Sequence, residues 1–428
     1  MAVLPKQPDH GEQAMLFLWA AADAADRLGY REKQRLLLGQ LADFDTDPDT
    51  QPEQAGRTYL LHARYAISTG QFGNARGMLV NAIRCFEASG SVDLLSDSLR
   101  RQSSVHTHVG EFSQARKLAR RSQDLAPDNF LRARAEHTLG VLDMLEGQFE
   151  SSLRRCDKCL MLLRDSDRFE ALAVRALAHS LRARVYRGAG RPRRGLVSAQ
   201  HALRFAKHAG DRRLEIEAQA RLGVHLLDID RAEEAETLLR DAILMAQEIE
   251  DRRSESIATL FLGILLAEQD DRSAGPYFER CHRLSKEIGN ARTLAVCISM
   301  QARMAYQTSA EAALKHSTKA MELLAHAGAE LIDRIVICGT HAMVLEALGH
   351  NSKAKTLLES LRKRMRAASN RIESRLMQRR QRLATNQLLR AALTSKGPVY
   401  RRVHIDSSEQ ILGPGHLAPG PRLPSSEA

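Results

Sequence analysis

Short helix-breaking spots recur along this chain at a spacing that a stack of like units satisfies. Gly29, Gly70, Gly110, Gly147, Gly190, Asp230, Gln269, Thr308 and Gly349 follow one another at intervals of 41, 40, 37, 43, 40, 39, 39 and 41 residues. Each lies between two amphipathic stretches of about fifteen to twenty residues, the pattern of a helical hairpin closed by a tight turn. The expectation is an all-α array of about nine antiparallel helical hairpins. At 428 residues the chain is too long for one ordinary domain, and one extended repeat array accounts for that length.

Composition agrees. Ala, Leu and Arg dominate, and they lose little on entering a helix, whereas aromatics make up only 4%. β-branched residues never form alternating runs, so no strand is expected. Cys85, Cys156, Cys159, Cys281, Cys297 and Cys338 are scattered rather than dense, which fits a reducing compartment better than a disulfide-stapled module. The apolar run from Met15 to Ala22 is followed at once by Asp23 and Asp26 and is too short to span a bilayer. With no targeting or membrane segment visible, the chain reads as cytoplasmic.

Registering the units on their turns exposes a finer pattern. Seven residues before the turn stand Ala63, Ser103, Gly140, Ala183, Gly223 and Ala342. Five after it stand Ala75, Ala115, Ser152, Gly195, Ala235, Ala274, Ala313 and Ala354. Twelve after it stand Ala82, Ser122, Cys159, Ala202, Ala242, Cys281 and Ala320. The ninth position after the turn holds Leu79, Ala119, Cys156, Ala199, Leu239, Phe278 and Leu358. Two helices approach closely only where both present small side chains, and the larger residue fills the space toward the next hairpin.

These offsets resemble the tetratricopeptide pattern, with small residues at its eighth, twentieth and twenty-seventh positions and a bulky one at its twenty-fourth. Leu139-Gly140, Leu222-Gly223 and the helix-ending Pro127 extend the match. The unit of about 40 residues exceeds the usual 34. It is similar to the longer-helix variant of bacterial signalling proteins and of the regulatory halves of multidomain transcriptional activators. The resemblance covers residues 11–365. It implies a right-handed α-solenoid acting as a non-enzymatic scaffold, adaptor or regulatory sensor, with the first unit as a cap.

Three motifs invite a chemical reading. Cys156-Asp-Lys-Cys159 has redox and zinc spacing, but no second ligand pair is near in sequence and both cysteines fall on packing positions. Asp43, Asp45, Asp47 and Asp49 resemble the start of a calcium loop; Pro48 then replaces the turn glycine and Gln54 the closing glutamate. The expectation there is an acidic linker, with Asp49 or Thr50 capping a helix that starts near Pro52. Gly188-Ala-Gly190-Arg-Pro-Arg-Arg-Gly195 follows no strand and matches no phosphate-binding fingerprint, so it reads as turn chemistry. No HExxH, GxSxG or kinase signature is present, and neither a catalytic residue, a metal site nor a cofactor is expected.

The resemblance also implies where a partner docks. In such solenoids the first helix of each pair lines the concave face, and positions two, five, six and nine hold the ligand. They give Arg57 and Arg64 in the second unit and Arg100 and Arg101 in the third. Arg134 and His137, Arg184, and Arg221 follow in the fourth to sixth. The next two units offer Leu260, Phe261, Ile264, Ile298 and Ala302. The expected groove is cationic over its first half and apolar over its second, suited to a protein or peptide with acidic and apolar segments. The competing reading is that an Arg-rich chain places Arg on every solvated face. Asn, which the carboxylate-clamp subgroup uses, is missing from these positions, so chaperone tails are not expected partners.

Ten basic side chains between residues 361 and 390 face the single acid Glu373. Leu358, Leu361, Met365, Ala368, Ile372 and Leu376 form an apolar stripe beside them. A basic helix over 366–395 is expected to cap the solenoid or to pair two copies. An alternative function is nucleic-acid-associated regulation through this helix, although it lacks interleaved aromatics and any recognised binding motif. Residues 1–10 read as an arm and the Gly/Pro/Ser-rich residues 396–428 as a disordered tail.

Overall fold

The structure is a computed structural model, describing residues 10–370 except 45, 270–272, 307 and 328. The expected arm through residue 9, the helix beyond residue 370 and the tail over 396–428 lie outside the described residues. Among the described residues eighteen helices form nine consecutive hairpins, and no strand occurs. The first three are α1 (His10–Leu28) with α2 (Arg31–Ala42), α3 (Pro52–Ser68) with α4 (Phe72–Ser89), and α5 (Val92–His108) with α6 (Phe112–Leu125). Then come α7 (Asn129–Leu145) with α8 (Phe149–Leu162), α9 (Phe169–Gly188) with α10 (Pro192–Ala209), and α11 (Arg212–Leu227) with α12 (Ala232–Glu248). The last are α13 (Arg252–Glu268) with α14 (Ala274–Glu287), α15 (Ala291–Tyr306) with α16 (Ala310–His326), and α17 (Leu331–Ala347) with α18 (Asn351–Asn370).

All nine expected turns fall inside a hairpin. Seven of them, including Gly70 and Asp230, take a left-handed conformation with φ between 64° and 80°. The chain reverses there through the same backbone bond: the amide of Gln71 donates to the carbonyl of Ala66 at 2.8 Å, and that of Arg231 to Leu226 at 3.0 Å. This is the bonding that closes a helix on a left-handed residue. Asp49 and Thr50 do not cap α3. Its N-cap is Gln51, and Asp47 gathers the linker instead, accepting from the Asp49 amide at 3.0 Å and the Thr50 hydroxyl at 3.1 Å.

The small-residue register works as close helix contact. Ser103 and Ser152 each donate a hydroxyl hydrogen bond across their hairpin, to the carbonyls of Ala115 and Gly140, at 2.7 Å. A Cβ on Gly195 would lie 3.2 Å from the carbonyl of Ala183, and one on Gly223 would lie 3.3 Å from that of Ala235. Cys156 and Cys159 are buried in this packing. Burial pushes the Cys156 thiol far up and that of Cys159 to about 12, so neither forms the thiolate that redox chemistry needs.

Successive hairpins coil until distant units touch. The turn at Gly29 lies against Ile249, which follows α12, and the turn at Gly70 lies against Ile288, which follows α14. Arg27 of α1 stacks over the ring of Phe169 at the start of α9, 4.7 Å from its centre. The array thus closes on itself about five hairpins along.

The core is distributed unevenly. The amino-terminal hairpins are served by several small clusters. A single continuous core runs from Ala183 to Leu361. Leu260, Ile264, Ile298 and Ala302 belong to the interior and line no open groove, being fully buried. The reason lies in their chemistry: an apolar inner face is covered most favourably by the neighbouring inner helices, which pack α13 between α11 and α15.

Gly70 and Gly90 separate backbone strain from long-range contact. Both have positive φ, near 77° and 72°. A Cβ at Gly70 would lie 1.4 Å from the carbonyl oxygen of Ile288, whereas one at Gly90 meets nothing within 4 Å. Gly90→Ala should cost about 1–2 kcal/mol in urea unfolding, the usual penalty for a left-handed non-glycine residue. Gly70→Ala should cost clearly more, because it also parts the second hairpin from the seventh; equal losses would mean that the contact contributes nothing.

Candidate functional site: an arginine-lined lumen

Inward-facing helices of the coiled array bring charged side chains from both halves of the chain to one internal surface. His108 at the end of α5 lies within the field of Arg184, Glu217, Arg253 and Arg292, which belong to α9, α11, α13 and α15. Three ionic clusters occupy this lumen.

The first centres on Asp97 of α5. Its carboxylate accepts from Arg100 at 2.7 and 3.0 Å and from Arg101 at 2.8 Å, and Arg134 of α7 stands 3.0 Å away. Local geometry explains the first two, since residues three and four apart share a helix face. Burial alone would raise the Asp97 carboxyl; Arg101, Arg134 and Arg100 together hold it well below the usual carboxylate range. Burial lowers Arg101 to about 10 despite Asp97. His137, one turn beyond Arg134, is lowered to about 4 by burial and by Arg100 and Arg184, so it is neutral at pH 7.

A second cluster centres on Asp26 of α1. Arg31 at 2.6 Å, Arg64 of α3 at 2.7 Å and Arg213 of α11 at 3.1 Å converge on it, and Arg64 also binds Asp23. Asp26 and Arg213 are 187 residues apart in sequence. In the third, Glu330 accepts from Arg184 at 2.8 Å, 146 residues distant. Arg292 bridges the same Glu330 and Asp333, at 2.5 and 2.6 Å. Asp333 also accepts from the Glu330 amide at 3.1 Å, closing the start of α17. Arg221 pairs with Glu217 one turn away at 2.6 Å.

Arg64, Arg100, Arg101, Arg134, His137, Arg184 and Arg221 therefore share one lumen. Arg57 stands apart from the three clusters, more exposed, 2.8 Å from Glu53 and 5.9 Å from the Trp19 ring centre. Phe261 is partly buried under Arg187, itself held 2.6 Å from Asp228. The carboxylates Asp26, Asp97, Glu217, Glu330 and Asp333 were missing from the residues inferred from the repeat register. Asp97 and Glu217 had a local signal, an acid three or four residues before an arginine. The pairings of Asp26 with Arg213 and of Glu330 with Arg184 had none, because coiling alone joins them.

Among the described residues no three His, Cys, Asp or Glu side chains cluster as metal ligands. No described helix is long and apolar enough to cross a membrane. The stack of nine hairpins, its left-handed turns and its small-residue contacts decide the architecture. The fold is that of a tetratricopeptide-type α-solenoid. No protein-family model matches the chain, and no curated protein matches it either. Among solved structures, this tetratricopeptide-type solenoid is similar to a Rap protein complexed with Competence and Sporulation Factor. The TM-score is 0.59 at 12% identity, over 84% of this chain and 99% of that one. It is also similar to the Rap conjugation gene regulator of plasmid pLS20 in complex with the Phr* peptide, with a TM-score of 0.54 at 12% identity, over 84% and 97% of the two chains.

Two outcomes follow from the buried charges of this solenoid. Asp97→Asn leaves three half-buried guanidiniums without their carboxylate and should lower unfolding free energy by about 3–5 kcal/mol, as removing one partner of a buried pair does. A urea-unfolding loss below about 1 kcal/mol would contradict that. His179 and His225 are buried, and burial with neighbouring arginines lowers each to about 3. Below about pH 6.5 the unfolded chain binds a proton at each site and the folded chain does not. Stability should fall as pH drops from about 6.5, by about 2 kcal/mol per histidine at pH 5. Potentiometric titration during unfolding at pH 5 checks it: no proton uptake attributable to these two sites would contradict the assignment.

Proposed function

We propose that this solenoid is a non-enzymatic regulatory protein, acting in the cytoplasm, whose lumen holds an extended peptide or a segment of a partner protein. The observation that carries the reading is the convergence of Arg64, Arg100, Arg101, Arg134, Arg184 and Arg221 from five hairpins on one internal surface. Surface arginines on a merely solvated face would be spread around the helices, not collected inside a coil. The two similar Rap structures hold a factor and a peptide respectively, which favours a peptide ligand over a small molecule. An apolar second half of the groove is no part of the proposal, since Leu260, Ile264, Ile298 and Ala302 are engaged in the core.

Binding would be read out through shape. The coil closes through contacts between units four or five apart, so a ligand in the lumen bears on both turns of the coil together. Selection of binders from a peptide library against the full chain, followed by photo-crosslinking, tests the assignment. Crosslinks should map to α5, α7, α9 and α11. Crosslinks confined to the outer helices α6, α8, α10 and α12 would overturn a lumenal site.

A further inference from the structure

The Asp97 cluster has the fewest carboxylates per arginine of the three, one to three, against two to four around Asp26 and two to two around Glu330. Asp26, with Asp23 beside it, and Glu330, with Asp333, each bring two carboxylates to their arginines. Asp97 alone faces Arg100, Arg101 and Arg134, so three positive charges meet one negative charge and two remain. Their side chains are only 14%, 19% and 22% exposed, so bulk water screens this surplus weakly.

The donors tell the same story. Three guanidiniums carry fifteen N–H groups. Asp97 engages Nε and Nη2 of Arg100, Nε of Arg101 and Nη1 of Arg134. The remaining donors have no acceptor among the described residues. Arg134 also lies over the Phe130 ring, 5.5 Å from its centre, which fixes the guanidinium from one side. His137 is neutral and adds no charge. Arg64 adds to the positive field that Arg101 and Arg134 experience. A planar, fork-shaped donor set held by packing is the arrangement that binds carboxylates in pairs of charge-assisted bonds.

We infer that Arg100, Arg101 and Arg134, braced by Asp97, form a subsite for a carboxylate of the lumen's ligand. Asp97 orients the guanidiniums and holds them together against mutual repulsion, and the ligand's carboxylate takes their free donors. This rests on the peptide-binding reading and adds to it the chemistry of one ligand group. That group is either an acidic side chain or a free C-terminus, both presenting the same two oxygens.

Calorimetric titration of the full chain with two synthetic probes tests the subsite. One is acetylated hexaglutamate amide, which offers side-chain carboxylates only. The other is a six-residue Ala/Leu peptide with a blocked N-terminus and a free C-terminal carboxylate. At least one probe should bind the lumen, and Arg134→Gln and Arg101→Gln should each weaken it about tenfold or more. Arg240→Gln, on the outer helix α12, should leave it unchanged. The probe whose affinity depends on the trio identifies the carboxylate source. Because residues 361–390 are strongly basic, binding of hexaglutamate that persists in both trio variants overturns the subsite, as does failure of both probes to bind. If a Gln variant does not fold, Arg134→Lys and Arg101→Lys replace it, since they keep the charge and lose the fork. Lys variants that bind like the parent also overturn the subsite. If library-selected peptides still crosslink in the lumen while the probes show no dependence on the trio, the subsite fails and the lumenal site stands.

Discussion

Close approach of paired helices, through side chains no larger than those of Gly, Ala, Ser or Cys, sets the geometry on which everything else in this protein rests. At Ser103, Gly140, Ala183 and Gly223 the inner helix lies almost against the backbone of its partner, and hydroxyls such as those of Ser103 and Ser152 find a carbonyl across the gap. That contact fixes how each hairpin presents its inner face. Repeating it along the array fixes the curvature, and the curvature decides which side chains meet inside the coil. A larger residue at these positions would splay one hairpin and also displace every lumenal group beyond it.

The lumen is the price of that curvature. Coiling encloses arginines that a flatter solenoid would leave in water, and an unpaired charge in such surroundings is costly. Carboxylates answer it in two ways. Some come from the same helix, as Asp97 and Glu217 do for Arg100 and Arg221. Others arrive from the next turn of the coil, as Asp26 does for Arg213 and Glu330 for Arg184. The second kind ties the charge balance of the interior to the closure of the superhelix, so interior charge and shape are parts of one electrostatic system.

How far this was legible in the sequence follows from the range of each interaction. The turns were visible because a left-handed residue is a local demand, met by Gly at six of the seven positions and by Asp230 at the other. Helix pairing was visible because the small residues recur in register. The same register pointed to arginines on the first helix of each pair, but their partners across the coil leave no periodic trace. Leu260 and Ile264 were read as groove residues because their register resembles that of arginines in earlier units. An apolar inner face has another outlet, packing against the helices beside it, and residue pattern alone does not say which outlet is taken.

The turn-on-turn contacts also constrain the history of the molecule. Most solenoids lengthen or shorten by whole repeats at little cost, because each unit touches only its neighbours. Here Gly29 fits against Ile249, and Gly70 against the backbone of Ile288. Duplicating or deleting one hairpin between these pairs would set each glycine against the wrong turn and strand Asp26 from Arg213. The repeat number between the first hairpin and the seventh is thus locked, and variation has to proceed by substitution within units or by growth at the ends.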